Sequence, residues 1–367
     1  MTLAFRNHID VRLSVADQVI AGVDIQPRTR PPLRRLFAGK PAETLLATLP
    51  RLFSLCAGAH QVALISALEA ARGQQPSSLT HHRRIKAVIN ERFVEMLRGL
   101  LLGPLAGDRG TTQSAQRLLQ AVASLQGASG AAEPALQRVE TLSQIKIGLS
   151  ALGIGLEAEL VLPGTPLASL MAASRTAADE GWKPISSEHG VLSAVDDADV
   201  VARLAEPDSA FAELPDLDGR VPETGVWARH AVHRAHRAAG PLERLSARVA
   251  EIAALARWIE AGEAEDEASD DRLVAGFAMG PGRGAGVVEC ARGRLYHVVE
   301  LDAEGAIARF DYLAPTEWNF HPRGPVATSL IGARLRDAAD HAAVEAMVGA
   351  FDACVGCRLV VREMADA

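Results

Sequence analysis

Apolar and polar residues tend to alternate over residues 9–25, interrupted at 15–17 by a turn-like Val-Ala-Asp, and this two-residue period predicts an N-terminal β-hairpin. Pro27, Pro31 and Pro32 end it. Beyond them the period lengthens. Residues 42–72, 80–102 and 112–125 carry apolar side chains three and four apart, the spacing of amphipathic helices, and together they predict a bundle. A small-residue linker over 127–132 leads into a further helical run over 134–152. Residues 163–218 mix Pro, Gly, Ser and Asp with short apolar pieces and predict irregular structure, after which a helix returns over 241–261. Residues 284–289, 294–301 and 306–313 are rich in Val, Tyr and Ile and predict a small antiparallel sheet. The expected fold class is mainly α with a smaller β part (α+β), in a single domain over 1–367. Its parts are a hairpin over 1–30, a helical body over 41–262, and a small sheet with a C-terminal CxxC arm over 273–367.

Composition narrows the function classes. An apolar fraction of 48% over 367 residues can bury a substantial core, and with aromatics at 4% the apolar set is dominated by Ala, Leu and Val. The net charge of -7, without a Lys/Arg stripe interleaved with aromatics, argues against a nucleic-acid partner, because neither phosphate neutralisation nor base stacking has its usual chemistry. The first 13 residues lack a basic start followed by an apolar core, so no secretory signal is read. The greasiest stretch, 145–162, contains Lys146, Glu157 and Glu159, which fits a buried helix and strand rather than membrane insertion. A soluble, cytoplasmic protein is expected. Four cysteines are too few for a disulfide framework at this length and point to ligands or redox groups.

Those cysteines are unevenly placed: Cys56 near the N-terminal end, Cys290, Cys354 and Cys357 towards the other, a distribution that suggests a site closed by both ends of the chain. Cys354-Val355-Gly356-Cys357 is a CxxC pair, able to face one metal or to form a reducible disulfide. Cys56 stands four residues before His60, which would place both on one face of a helix's first turn, where the helix dipole favours a thiolate. Cys56 on its own would more often be a packed core thiol.

The flanking residues carry more. Arg51-Leu52-Phe53-Ser54-Leu55-Cys56-Ala57-Gly58-Ala59-His60 resembles the RxCGxCxxxH motif of nickel–iron hydrogenase large subunits, and the likeness continues through Ala63 and Ala67-Leu68-Glu69. Phe351-Asp352-Ala353-Cys354-Val355-Gly356-Cys357 resembles that family's FDPCxxC, Glu289-Cys290-Ala291-Arg292-Gly293 its EAPRG, and Ala314-Pro315-Thr316-Glu317-Trp318-Asn319 its VPTxWN. A looser echo of EVGPLAR lies at 223–229. The blocks follow the family's order from about residue 50 to 357, and the resemblance implies a hydrogenase large-subunit-like fold.

Carried over by position, Cys56 and Cys357 match the thiolates that bridge nickel and iron, and Cys354 matches one nickel-only ligand. Phe53 stands where the other nickel-only thiolate belongs, and a phenyl ring has no lone pair for a metal. Arg292 and Thr316 match the residues directed at the iron's cyanides, and His60 the one that hydrogen-bonds near the bridging thiolate. No acidic residue lies between Asp24 and Glu43, where the family's proton-carrying Glu falls, and Val360 replaces the final His of CxxCxxH. Losses on the nickel side with retention on the iron side resemble hydrogenase assembly proteins of the HupK/HoxV type. That resemblance implies a non-catalytic scaffold that holds iron transiently as an Fe(CN)2CO unit, without nickel, with maturation chaperones and the hydrogenase large subunit as partners. A thiol–disulfide role for the CxxC pair and an altered hydrogenase are the other readings. Cys290 departs from the family's Ala and reads as a packed thiol, with an iron-side ligand or redox partner as alternatives.

Other candidates read blandly. His230, His233 and His236, with Arg229, Arg234 and Arg237 among them, suggest a basic solvated helix face, and the acidic residues of 263–271 a solvated loop. His81-His82-Arg83-Arg84 reads as a polar helix start. Glycines at 280, 282, 284 and 286 fit no phosphate-binding fingerprint and are taken as a flexible connection into the sheet. No HExxH or GxSxG supports hydrolysis.

Overall fold

A computed structural model of the chain describes residues 6–106, 109–127, 135–157, 160–179, 190–207, 210–231, 239–261 and 272–364. The N-terminal hairpin forms from β1 (His8–Ala16) and β2 (Val19–Gln26), paired antiparallel. Its turn falls at Asp17-Gln18, one step later than the alternation suggests; both have positive φ, the geometry of the two-residue turn that matches strand twist. The last strand, β7 (Gly356–Glu363), adds to the other side of β1 in parallel, with Ile9 opposite Cys357, so the two ends of the chain share one three-stranded sheet.

Helices build the body. After the short α1 (Leu33–Phe37), the predicted run over 42–72 divides into α2 (Ala42–Leu52) and α3 (Ala57–Ala71). The break lies at 53–56 because Cys56 takes a left-handed conformation, φ 54°, that no helix continues through. α4 (Ser78–Leu102) starts on a Ser77 cap whose hydroxyl accepts from the Thr80 N–H, and at this polar start Arg84 grips Glu69 of α3 with two bonds of 2.7 Å. α5 (Arg109–Gly127) and α6 (Ala135–Leu152) follow as predicted. The segment expected to be irregular instead contains α7 (Pro166–Asp179) and α8 (Asp197–Leu204), whose apolar residues Val200, Val201 and Leu204 recur at helical spacing within a Ser/Asp-rich frame that masks them. α9 (Val226–Ala231) and α10 (Pro241–Glu260) complete the body. No helix among the described residues is long and apolar enough to cross a membrane.

The second sheet is antiparallel, in the order β3 (Val274–Ala278), β4 (Arg283–Cys290), β5 (Gly293–Leu301), β6 (Ile307–Leu313). It is covered on both sides. Val288, Cys290, Leu295 and Val299 face a core shared with α3 and α4, while Val287, Tyr296 and Val298 face another with α8 and Trp318. After α11 (Pro315–Asn319), whose Trp318 joins the core with α8, α12 (Pro325–Leu330) and α13 (Ala338–Ala350) pack under the hairpin sheet.

Of the alternating glycines, Gly280 and Gly282 lie in the connection between β3 and β4, with positive φ, but the other two do not. Gly284 and Gly286 lie within β4 on the face that meets α3, where a β-carbon would overlap the carbonyl oxygens of Ala67 and Ala63. Glycine at every second residue is one face of a strand, and small residues at 59, 63, 67 and 71 of α3 answer it. Helix backbone therefore rests directly on strand backbone, which sets where Cys56 falls relative to β4.

Candidate functional site

Four separated segments meet at a cavity of about 120 Å3. The α2–α3 break brings Phe53 and Cys56, the β4–β5 turn brings Cys290 and Arg292, the start of α11 brings Thr316, and the arm between α13 and β7 brings Cys354; His60 and Arg28 complete the wall. Five of the six residues picked out from sequence, Cys56, His60, Arg292, Thr316 and Cys354, thus line one space. Cys357 lies outside it. Its side chain is exposed at the start of β7, its thiol 3.9 Å from the Val355 carbonyl oxygen, and it borders a separate groove beside α10 and α13. All four cysteines are free thiols.

Arg292 is the charged centre of the site. Its guanidinium donates to the Cys56 Sγ at 3.3 Å and to the Glu95 carboxylate at 3.0 Å, and its Nε donates to the Asp352 backbone carbonyl at 3.0 Å. Glu95 and Asp352 also fix it as an ion pair, one from α4 and one from the arm, so a guanidinium 6% exposed is paired on both sides. Thr316 donates its hydroxyl to the Cys354 Sγ at 3.1 Å and accepts the Cys354 N–H at 3.4 Å. The arm is thereby tied to the site at Asp352 and Cys354, and turns away before Cys357.

Cys56 differs from expectation. The start of α3 is taken by Glu91, whose carboxylate accepts the Gly58 and Ala59 N–H groups at 2.7 Å each, so the helix dipole is answered by that carboxylate. The Cys56 thiol is pushed well up, first by its hydrogen bond with Cys290 and then by burial, against the pull of Arg292. Cys290 moves the other way, held down by that bond from Cys56 and by the Arg292 backbone N–H. Cys56 and Cys290 are thus buried neighbours on one cavity wall, each shifting the other's thiol.

Phe53 fills the position opposite. Its ring stacks on His60 with centroids 3.8 Å apart and planes within 5°, and Tyr312 meets it edge-on at 5.1 Å. Behind His60 stands His297 of β5, fully buried, with Nε2 2.9 Å from the His60 Nδ1 and no partner for its own Nδ1. Burial holds His297 down to about 3, so it is neutral. A buried N–H without an acceptor is costlier than an idle lone pair, so hydrogen-bond geometry assigns the His297 proton to Nε2. His60 then accepts at Nδ1 and keeps its own proton on Nε2, the nitrogen left for the cavity.

Sequence reasoning missed several of these partners. Glu91, Glu95 and His297 belong to no motif, and only their apolar neighbourhoods on α4 and β5 could have singled them out as buried polar residues. Arg229, expected on a solvated basic face, turns inward: it pairs with Glu251 and Glu289 and donates to the Cys290 and Ala291 carbonyls at 3.2 and 3.1 Å, bracing the turn that carries Cys290. His233 and His236 with their neighbouring arginines, and the acidic residues of 263–271, lie outside the described residues. Among the described residues no three His, Cys, Asp or Glu side chains converge as a metal site; the thiols on the cavity are those of Cys56, Cys290 and Cys354.

Residues 223–359 match the nickel-dependent hydrogenase family. The fold is that of the Ni-Fe-Se hydrogenase from D. vulgaris Hildenborough, with a TM-score of 0.66 over 94% of this chain and 95% of that one at 15% identity. The class is therefore a hydrogenase-like α+β protein. Within it, the chain is 48% identical to the hydrogenase expression/formation protein HupK of Bradyrhizobium diazoefficiens, over all of both chains. It is 32% identical to HupK of Rhizobium leguminosarum bv. viciae, over 98% of each. The chain belongs to the HupK/HoxV family of hydrogenase expression/formation proteins.

Proposed function

We propose that the chain is a non-catalytic scaffold in nickel–iron hydrogenase maturation that receives an Fe(CN)2CO unit from maturation chaperones and passes it to the hydrogenase large subunit. The observation that carries the reading is the Phe53 ring stacked on His60 in the same cavity as Cys56 and Arg292. It puts an apolar surface where a soft nickel ligand would be needed, while thiol and guanidinium remain beside it. Kinship with hydrogenase expression/formation proteins supports the maturation role.

The donor set suits such a cargo. An iron carrying three diatomic ligands of its own asks the protein for few thiolates. Cyanide is anionic and accepts hydrogen bonds; Arg292, fixed by Glu95 and Asp352, offers a cation that needs no reorientation to meet it. The His60 Nε2–H adds a neutral donor.

Protein purified anaerobically from cells with active hydrogenase maturation is expected to show CO and cyanide stretching bands in the infrared, together with bound iron and no nickel. Absence of both bands and iron overturns the reading.

A further inference from the structure

The stacking of α3 on β4 brings two thiols together that no motif pairs. Ala71 lies over Gly284 and Ala63 over Gly286, so helix and strand run antiparallel, backbone against backbone. From Gly286 the strand advances about 13 Å to Cys290 at its usual rise. From Ala63 the helix retreats about 10 Å to Cys56. Both paths end at the same edge of the interface, where Cys56 and Cys290 line one cavity. The β4–β5 turn then places Arg292 two residues beyond Cys290, and its guanidinium returns to the Cys56 sulfur at 3.3 Å.

Cys357 has none of this. It is exposed, it borders a different groove, and the strand that carries it is paired to β1 in a register that holds it opposite Ile9. A pair of thiolates that shares one metal must reach it from the same cavity, and only Cys56, Cys290 and Cys354 do so among the described residues. Cys354 lines the same cavity from the arm, where its sulfur accepts the Thr316 hydroxyl.

We propose that Cys290, rather than Cys357, is the second thiolate that holds the iron unit beside Cys56. The inference rests on the scaffold reading and names its ligand pair: Cys56 and Cys290 lose their thiol protons to solvent and both sulfurs bond iron. No oxidation change is required of the protein. Cys357 is then free for solvent-facing roles.

Wild-type protein and the variants Cys56→Ser, Cys290→Ser and Cys357→Ser, isolated anaerobically from maturation-competent cells, separate the possibilities through iron per chain and infrared bands. Cys56→Ser and Cys290→Ser are expected to lose iron and bands by about tenfold or more. Any residual unit in Cys290→Ser should show a shifted CO stretch, because an alkoxide or hydroxyl has replaced a thiolate. Cys357→Ser should retain most of both. A Cys357→Ser protein that stays folded yet loses the bands overturns the assignment, and this variant alters an exposed residue, so the test does not depend on Cys290→Ser folding. Retention by Cys290→Ser overturns it equally. Wild-type protein lacking iron and bands defeats the scaffold reading itself, a result distinct from either.

Discussion

At one end of the cavity, Cys56 is enclosed by α3, β4 and α4, with Arg292, Glu91 and Glu95 packed around its turn. At the other, the arm after α13 delivers Cys354 to Thr316 and then leaves, so that three residues later Cys357 stands at the surface of an edge strand. Both regions carry family-like motifs, and by motif alone Cys56 and Cys357 would be equivalent partners. They differ in what fixes them. The first is held by backbone contact and buried ion pairs, the second by one parallel strand pairing. Motif identity places a residue in the chain's order; packing decides whether it faces the chemistry.

That contrast can be broken most strongly at two glycines. Gly286→Ala inserts a methyl against the Ala63 carbonyl and should cost about 3 kcal/mol, the upper end of overpacking penalties. Gly356→Ala, beside Cys357 with no atom near its would-be β-carbon, should change stability by less than about 0.5 kcal/mol. Chemical denaturation of the two variants measures the difference, and similar losses would show that the arm is packed as tightly as the helix–strand contact.

Thiol labelling sharpens it next. Under native, metal-free conditions a maleimide should modify Cys357 before Cys56 or Cys290, which must await an opening of the fold, although partial cover of its sulfur and then Cys354 push the Cys357 thiol up to about 12 and slow its reaction. Peptide mapping after timed quenching reads the order; early labelling of Cys290 would mean that the α3–β4 edge opens readily.

The smallest effect is in pH. Burial holds His297 down to about 3, and it pushes His60 down as well, with help from His297. The unfolded chain binds protons at both from about pH 6.5 downward while the folded chain does not, so stability falls as pH falls from about 6.5 towards 3, by up to ~1.4 kcal/mol per unit for each histidine. Above that window both states are neutral there and the contribution is flat. Glu251 enters lower: burial pushes it up, but Arg229 and Arg92 bring it down to about 2, so its stabilising charge is lost only between about 4.5 and 2. Denaturation midpoints in His297→Phe should lose about half the slope between pH 6.5 and 4.5; an unaltered slope would place the dry histidine pair elsewhere.

Much of this fold is legible in the chain. Period-two alternation exposes β1 and β2, and the three- and four-residue spacing exposes α4 and α10, because each buries one side against a core. The helices within 163–218 escape notice because α7 and α8 are framed by Ser, Asp and Pro, the residues of turns. At the site, residues with chemistry of their own stand out: Cys56, His60, Arg292, Thr316 and Cys354 are visible as thiols or as members of ordered blocks. Glu91, Glu95 and His297 are not, since a buried acid on α4 or a histidine on β5 acquires meaning only through a neighbour tens or hundreds of residues away. Cys290 lies between these cases, conspicuous as a cysteine but readable as a mere packed thiol until α3 is laid on β4.

The glycines of β4 have one more consequence. The interface that spaces Cys56 from Cys290 is made of peptide groups and the methyls of Ala63 and Ala67, none of which has a rotamer to lose. Bringing two sulfurs to a common point with long side chains would restrict several torsions each time the chain folded. Here the restriction falls on backbone already ordered by helix and strand, so the thiol pair is preorganised at almost no additional conformational entropy.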